Sequence, residues 1–459
     1  MNSWLVLGDI LVVKCGASFY CSKSLTFINL SAWLPLMQLT QATPAQLREF
    51  EQTLSQQYAE LQAQGLKLDL TRGKPSAQQL DLADALDGIL AGDYQAPDAD
   101  TRNYGGLRGI LSARELGAEL LGTDVKNTLA GGSSSLTLMF MVLLNQYQFG
   151  CRDEASAWRH LKAPKMLCPV PGYDRHFSIT EKLGIEMINV TMNDDGPDMD
   201  QVEALIKADD EIIGMWCVPK YSNPTGTVYS DAVVDRIAKL GLIANPSFRV
   251  MWDNAYAVHD LVENPPELSN ITERCAAHGT QDSVWQFAST SKITFASAGI
   301  SFFASSEANV LNFEKLYGVS TIGPDKVNQL RTIKLLPDLA SMKAHMQKHS
   351  AILKPRFDAV LEALDNELGK EFGTWTRPQG GYFVSLDTKP GLAKNVVELA
   401  DAAGVKLTAA GAPFPYGKDP ENCNIRISPS FPPLHELETA MKVLVTCVKL
   451  ATIRQQLAG

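Results

Sequence analysis

The chain has 459 residues, 45% of them hydrophobic and 20% charged, and a formal net charge of −10. That length exceeds one small core, so two domains or one large α/β domain is expected, and the composition excludes a disordered chain. The negative charge argues against nucleic acid as a partner, and eight cysteines without CxxC pairs argue for reduced thiols in a cytoplasmic protein, with no zinc site and no disulfide framework.

Residues 1–36 differ in character from the rest. Their apolar run, Trp4 to Val13, is broken by Gly8 and Asp9. It is too short to span a membrane and has no basic lead-in for a secretory signal. A poorly ordered extension is expected here, with a functional start near Met37; a targeting or partner-binding segment is the alternative.

Organised sequence begins at Thr43. Thr43 and Gln46 form a capping box, Pro44 fills the first helical position, and Leu47, Phe50, Leu54, Tyr58 and Leu61 recur at helical spacing up to Gly65. Leu68 to Pro75 reads as a short strand and a glycine turn. Gly73 is there either as a turn residue or to let a ligand approach the backbone. Thr101 to Gly109 is a glycine-rich loop feeding a helix from Ile110 to Leu121, and Tyr104 is either exposed by its small neighbours or packed on that helix. Gly131-Gly132-Ser133-Ser134-Ser135 runs into a heavily apolar helix carrying Leu136, Leu138, Met139, Phe140, Met141, Leu143 and Leu144. Backbone N–H groups at that helix start, with serine hydroxyls, make an anion cradle suited to a phosphate. The spacing does not match the nucleotide P-loop, and no lysine closes it.

Strands and helices then alternate. Met166 to Cys168 is a strand ending at Pro169, Glu186 to Thr191 another, and Ile212 to Val218 runs into Pro219-Lys220-Tyr221-Ser222-Asn223-Pro224-Thr225-Gly226. A helix from Asp231 to Leu240 precedes the strand Arg249 to Trp252, which ends in Asp253, and Val284 to Ala288 is a buried strand before Ser289-Thr290-Ser291-Lys292. Near-continuous apolar strands alternating with helices predict a mostly parallel sheet covered on both faces, with ligands beyond the carboxyl ends of the strands. Tyr173, Asn223, Asp253 and Lys292 all follow such ends. A lysine among small hydroxyl residues there can lose its proton and attack a carbonyl carbon, which a solvated lysine does poorly. After Ser305 the pattern changes to long helices, notably Asp338 to Asn366, with strands at 372–375, 381–386 and 424–428 and a closing helix from Leu434. These predict a smaller α+β domain joined by the helix 43–64.

In this order Tyr104, Gly132-Ser133-Ser134, Tyr173, Asn223-Pro224-Thr225-Gly226, Asp253 with Tyr256, Ser289-Thr290-Ser291-Lys292 and Arg426 resemble the fold-type I, aminotransferase class I/II family of pyridoxal-phosphate enzymes, from about Met37 to the C-terminus. Leu70-Thr71-Arg72-Gly73-Lys74-Pro75-Ser76 and Gly299-Ile300-Ser301-Phe302-Phe303 resemble the bacterial aspartate-aminotransferase subgroup that stands apart from the standard one. The resemblance implies an α/β fold with residues 37–85 and 331–459 in a small domain and 86–330 in a large cofactor-binding domain. It implies pyridoxal 5'-phosphate as cofactor, amino acid and 2-oxo acid as substrates, and a homodimer with shared active sites. Lys292 would form the Schiff base and move the proton. Asp253 would face the pyridine nitrogen, Asn223 and Tyr256 the phenolic oxygen, and Tyr173 the ring face. Gly132, Ser133, Ser134, Ser289 and Ser291 would hold the phosphate, with Tyr104 reaching that of the neighbouring subunit. Arg426 would take the α-carboxylate, with Gly73 and Asn223 beside the substrate.

One departure stands out. The family's phosphate arginine after the lysine aligns with Ser301, and one extra residue lies between Lys292 and Gly299; Lys326 and Arg331, in the loop and helix after Gly323-Pro324, are the candidate cations. Aspartate with 2-oxoglutarate is the expected substrate pair. An aminotransferase for aromatic or other amino acids, or a pyridoxal-phosphate lyase, shares every residue above. A transcription regulator with an aminotransferase-like domain would need a basic winged-helix segment, and residues 1–36 hold no such pattern.

Overall fold

The computed structural model describes Leu5–Leu7, Ile10–Cys15, Ser18–Cys21 and residues 39–459. The three short N-terminal strands pair antiparallel. The remainder of the extension, with the poor order expected of it and the start at Met37, lies outside the described residues.

The first long helix, Pro44–Ala63, begins as its capping box dictates. The Thr43 hydroxyl accepts the Gln46 N–H at 3.3 Å, and the Gln46 side chain accepts the Thr43 N–H at 2.9 Å. Its buried stripe of Leu47, Phe50 and Leu54 joins a core formed with the C-terminal helix Leu434–Ala458, distant in sequence but adjacent in space.

The central sheet has eight strands: β1 Thr128–Ala130, β2 Lys165–Val170, β3 Glu186–Asn193, β4 Gly196–Pro197, β5 Ile212–Cys217, β6 Arg249–Asp253, β7 Val284–Ser289 and β8 Ser301–Ala304. Their order is β4-β3-β2-β5-β6-β7-β8-β1. The five from β3 to β7 are parallel, whereas β4, β8 and β1 pair antiparallel with their neighbours. Side chains alternate between two cores, as a sheet buried on both faces requires. Ile213, Trp216, Met251, Trp285 and Phe287 enter one, and Ile212, Met215, Val250, Trp252 and Val284 the other.

Strand β2 runs past the expected stop at Pro169 to Val170. Its pairing with β5 ends at Leu167, so beyond that point it pairs only with β3, and the N–H that proline lacks is not required on the β5 side.

A second, antiparallel sheet joins Gly373–Trp375, Val384–Thr388 and Asn424–Ile427. Gly381 to Phe383, expected in the middle strand, instead precede it as a loop that packs on Tyr221. The 29-residue helix Leu339–Glu367 ties the two halves together. Met342 and Met346 sit in a core with Phe302 of β8, and Leu353, Phe357, Val360 and Leu364 in the core with the C-terminal helix. Among the described residues no helix is long and apolar enough to cross a membrane.

Candidate active site

Because β2, β5, β6 and β7 are parallel, their carboxyl ends share one edge of the sheet, and the loops after them bring Tyr173, Asn223, Asp253 and Lys292 together. Lys292 lies in a turn after β7, closed by the Ile293 and Thr294 N–H groups donating to the Thr290 carbonyl at 2.8 and 2.9 Å. Its ammonium nitrogen is 5.0 Å from the centre of the Tyr256 ring and has no hydrogen-bond or ion-pair partner among the described residues. Burial pushes the pKa of the amine down, with the charge of Asp253 opposing. A lysine so placed spends more time as the free amine, which a nucleophile requires.

Asp253 closes β6 and is buried. One carboxylate oxygen meets His176 Nε2 at 3.0 Å, and the other is buried with no partner. His176 sits in the first turn of the helix Asp174–Lys182 and is stacked on Trp216 of β5 at 4.0 Å. Tyr173, just before that helix, stands edge-on to His176 at 4.9 Å. Burial, then Asp253, pushes its phenol up to about 12. Burial likewise holds the Tyr256 phenol well above its ordinary range, so both remain hydrogen-bond donors.

The cradle at Gly132 is pinned by serines. The Ser133 carbonyl accepts from the hydroxyls of Ser289, at 3.2 Å, and Ser291. Ser301 is buried, and both its N–H, at 2.6 Å, and its hydroxyl, at 2.7 Å, donate to the Gly132 carbonyl. The Ser134 side chain caps nothing on the helix Ser135–Phe149, and a Cβ added at Gly132 would meet nothing within 4 Å. The helix N–H groups thus face open space that an anion fits. On that helix Leu138, Met139, Val142 and Leu143 are buried, whereas Phe140 faces outward. The two candidate cations are engaged elsewhere. Lys326 donates to the Asn103 and Gly105 carbonyls at 2.9 and 2.6 Å, and Arg331 to the Leu86 carbonyl at 3.1 Å.

Arg426, on the strand Asn424–Ile427, reaches the same place from the second sheet. Its guanidinium lies over the Phe383 ring at 5.0 Å. One terminal nitrogen donates to Asp174 at 2.9 Å and to Asn223 at 3.4 Å, and the other to Thr408 at 3.4 Å. Its Nε is buried without a partner, leaving the Nε edge of the fork available to a carboxylate. Gly73 lies against the Phe383 ring, so close that a Cβ there would stand 2.2 Å from its Cζ. Tyr104 alone stands apart from this cluster, 83% exposed on its loop.

A family model described as aspartate amino-transferase matches residues 42–459. The chain belongs to this family. It is 50% identical over 406 residues to an aspartate aminotransferase from Corynebacterium glutamicum, covering 88% of this chain and 93% of that one. A crystal structure of an aspartate transaminase from the same organism superposes with a TM-score of 0.87 at 47% identity, over 91% of this chain and 99% of its own. An α-aminoadipate aminotransferase from Thermus thermophilus, solved with N-(5'-phosphopyridoxyl)-L-leucine, gives a TM-score of 0.68 at 20% identity over 83% of this chain and 92% of its own. The α/β fold is that of the pyridoxal-phosphate aminotransferases.

Four residues of the candidate site carry no motif of their own: His176, Asp174, Thr408 and Phe383. His176 had a signal, since it lies three residues after Tyr173 and therefore one helical turn away on the same face. The others are brought in by the second sheet and the loops around it, and nothing local marks them.

Proposed function

We propose that the chain is a pyridoxal-phosphate-dependent transaminase that exchanges an amino group between L-aspartate and 2-oxoglutarate by a ping-pong mechanism. The observation that carries this is one convergence. Among the described residues, an unpaired Lys292 amine, a buried Asp253 oxygen without a partner and a buried Arg426 Nε without a partner meet beyond the ends of parallel strands. Two orphaned polar atoms of opposite sense are costly unless a ligand satisfies them, and pyridoxal phosphate with an amino acid would satisfy both.

When bound, the cofactor supplies an aldehyde that condenses with amines and a ring that takes up an electron pair. Lys292 would hold it, and its freed amine would carry the proton between substrate Cα and cofactor C4′. The free oxygen of Asp253 would accept the ring N–H and keep that nitrogen protonated, while His176 fixes the carboxylate from behind. Asn223 and Tyr256 would donate to the phenolic oxygen, and Tyr173 would cover the ring face. Gly132, Ser133, Ser134, Ser289 and Ser291 would hold the phosphate on the helix N-terminus and on hydroxyls, without the usual arginine. Arg426 would fork the α-carboxylate, with Asn223 and Gly73 beside it.

A homodimer with shared sites is part of the proposal. Tyr104 is 83% exposed, and so are Val319, in the last turn of the helix Glu307–Ser320, at 85%, and Ile322, just beyond it, at 65%; Gly318 of that turn lies against Leu107 of the Tyr104 loop. Such an apolar surface suits a subunit interface, from which Tyr104 would reach the partner's phosphate. A small domain of helix 44–63 with the C-terminal elements is supported by the core that joins them; on the helix Leu339–Glu367 that core begins at Leu353, whereas Ile333, Met342 and Met346 pack with Phe302 beyond the boundary at 331. A cytoplasmic location belongs to the same proposal, supported by six free thiols among the described residues.

Absorption spectra of the purified protein with pyridoxal phosphate test the proposal. L-Aspartate should abolish the visible band of the lysine-bound cofactor, and 2-oxoglutarate should restore it. A response to L-phenylalanine or L-alanine alone would keep the family and change the substrate. No visible band at all would refute the role of Lys292.

A further inference from the structure

The turn carrying Lys292 presents two carbonyls to the surrounding chain, those of Lys292 and Ile293. Both are met by side chains from distant parts of the chain. The Tyr382 hydroxyl donates to the Lys292 carbonyl at 3.4 Å, and His345 Nε2 to the Ile293 carbonyl at 2.9 Å. Behind them stand Gln79, on the short helix Ala77–Asp81, and His349, one turn after His345 on the helix Leu339–Glu367. Gln79, Tyr382 and His349 are completely or almost completely buried, and His345 is buried as well. We propose that Gln79, Tyr382, His345 and His349 are positioning residues for the proposed reaction, a hydrogen-bonded network that fixes the Lys292 turn from behind and so sets where its amine stands.

The hydrogen bonds have a single consistent direction. The Gln79 oxygen accepts from the Ser76 N–H at 3.1 Å and the Ser76 hydroxyl at 3.3 Å. A backbone N–H can only donate, so the amide cannot be turned round. Its two N–H groups therefore point to the Tyr382 oxygen at 3.0 Å and to His349 Nδ1 at 3.1 Å. Tyr382, accepting from Gln79, has its own proton left for the Lys292 carbonyl. His349, accepting at Nδ1, carries its proton on Nε2, which lies 3.2 Å from His345 Nε2; both nitrogens then carry protons, so the two rings touch without a hydrogen bond between them. Gln79, Tyr382 and His345 each donate to a buried acceptor, and a branch satisfied in this way is rigid. Tyr382 also forms part of the wall beside the reacting group, with its ring 5.9 Å from that of Tyr256. A network serving only to satisfy buried carbonyls would add stability; one that positions the amine would also set the rate.

The inference rests on Lys292 being the amine that holds the cofactor, and the test separates the two. Holoenzyme carrying Tyr382→Phe, Gln79→Leu or both is compared with wild type. Tyr58→Phe is the control, since its hydroxyl donates to the Leu399 carbonyl at 2.8 Å outside the site. The measurements are kcat, KM for the amino donor, the pH midpoint of the visible cofactor band, and Tm. Tyr382→Phe is expected to lower kcat about 10-fold with KM within about twofold, and to move the pH midpoint by about half a unit or more. The double variant should lose no more than Tyr382→Phe alone, because the two residues act through one chain. Tyr58→Phe should change Tm only. Gln79→Leu leaves the tyrosine ring in place and carries the test if Tyr382→Phe does not fold. Wild-type kcat and midpoint in the variants, with only Tm lowered, would overturn the positioning role, as would losses that multiply in the double variant. A wild-type protein that takes up no cofactor would overturn both readings.

Discussion

Replacing Gly73 by alanine tests how the Arg426 fork is held. The new Cβ would stand 2.2 Å from Phe383 Cζ, and 2.6 and 3.1 Å from its two Cε atoms. Carbon atoms rest about 3.5–4.0 Å apart, so the ring must withdraw by roughly 1.5 Å. Gly73 does not occupy the left-handed region, so the penalty is steric and falls on Phe383, not on the backbone. Phe383 is buried and carries the Arg426 guanidinium over its ring at 5.0 Å; where the ring goes, the guanidinium must follow or lose its support. Overpacking of this kind costs about 1–3 kcal/mol of stability. A shift of about 1 Å in a substrate-positioning group costs on the order of 100-fold in rate. Gly73→Ala is therefore expected to lower kcat/KM for the amino donor by about 100-fold, mostly through KM, and to lower Tm. Steady-state kinetics and a thermal melt read both. Adding Phe383→Leu, which shortens the side chain that the methyl strikes, should recover Tm and part of KM. A Gly73→Ala variant with wild-type kcat/KM would refute the reasoning, and so would a loss that Phe383→Leu leaves untouched.

Three further outcomes follow from the same geometry. Arg426→Lys keeps a positive charge but not two parallel donors; losing one charge-assisted hydrogen bond, about 1.5–3 kcal/mol, should raise KM for both amino acid and oxo acid by at least about 10-fold in steady-state assays. Stability should fall in acid through the buried imidazoles. Burial holds His259, His345 and His349 below the ordinary 6.5, His349 at about 4. Between those values the unfolded chain binds the extra protons. The stabilisation is then complete above about pH 6.5 and lost as pH falls toward 4; at about 1.4 kcal/mol per pH unit, His349 contributes at most roughly 3 kcal/mol. Urea unfolding across this range should show a slope that His349→Gln reduces, and an unchanged slope would count against a neutral His349. Finally, Thr43→Ala removes one half of the capping box and should cost about 1 kcal/mol in urea unfolding without altering kcat; a change in kcat would contradict the remoteness of this helix end from the site.

What was legible in the sequence was whatever is decided within a few residues. The capping box at Thr43, the buried strands at β5, β6 and β7, and the helix after Ser134 are each specified by their own side chains. The convergence of Tyr173, Asn223, Asp253 and Lys292 was legible for a related reason: once the strands are parallel, their ends must share an edge. Pro169 misled because its effect depends on how far β5 extends alongside, which no residue of β2 records. The missing parts of the site share one property. His176 meets Asp253 across 77 positions, and Tyr382 meets the Lys292 carbonyl across 90. Such residues act on the chemistry through another side chain or a carbonyl, so their own chemistry is that of any histidine, glutamine or tyrosine. Gln79 reads as an ordinary helix residue until Ser76 fixes its amide and two buried acceptors claim its protons. A residue that touches the ligand must have one particular chemistry, and that leaves a motif. A residue that holds the first one in place needs only a donor at the right point in space, and that point is set by topology.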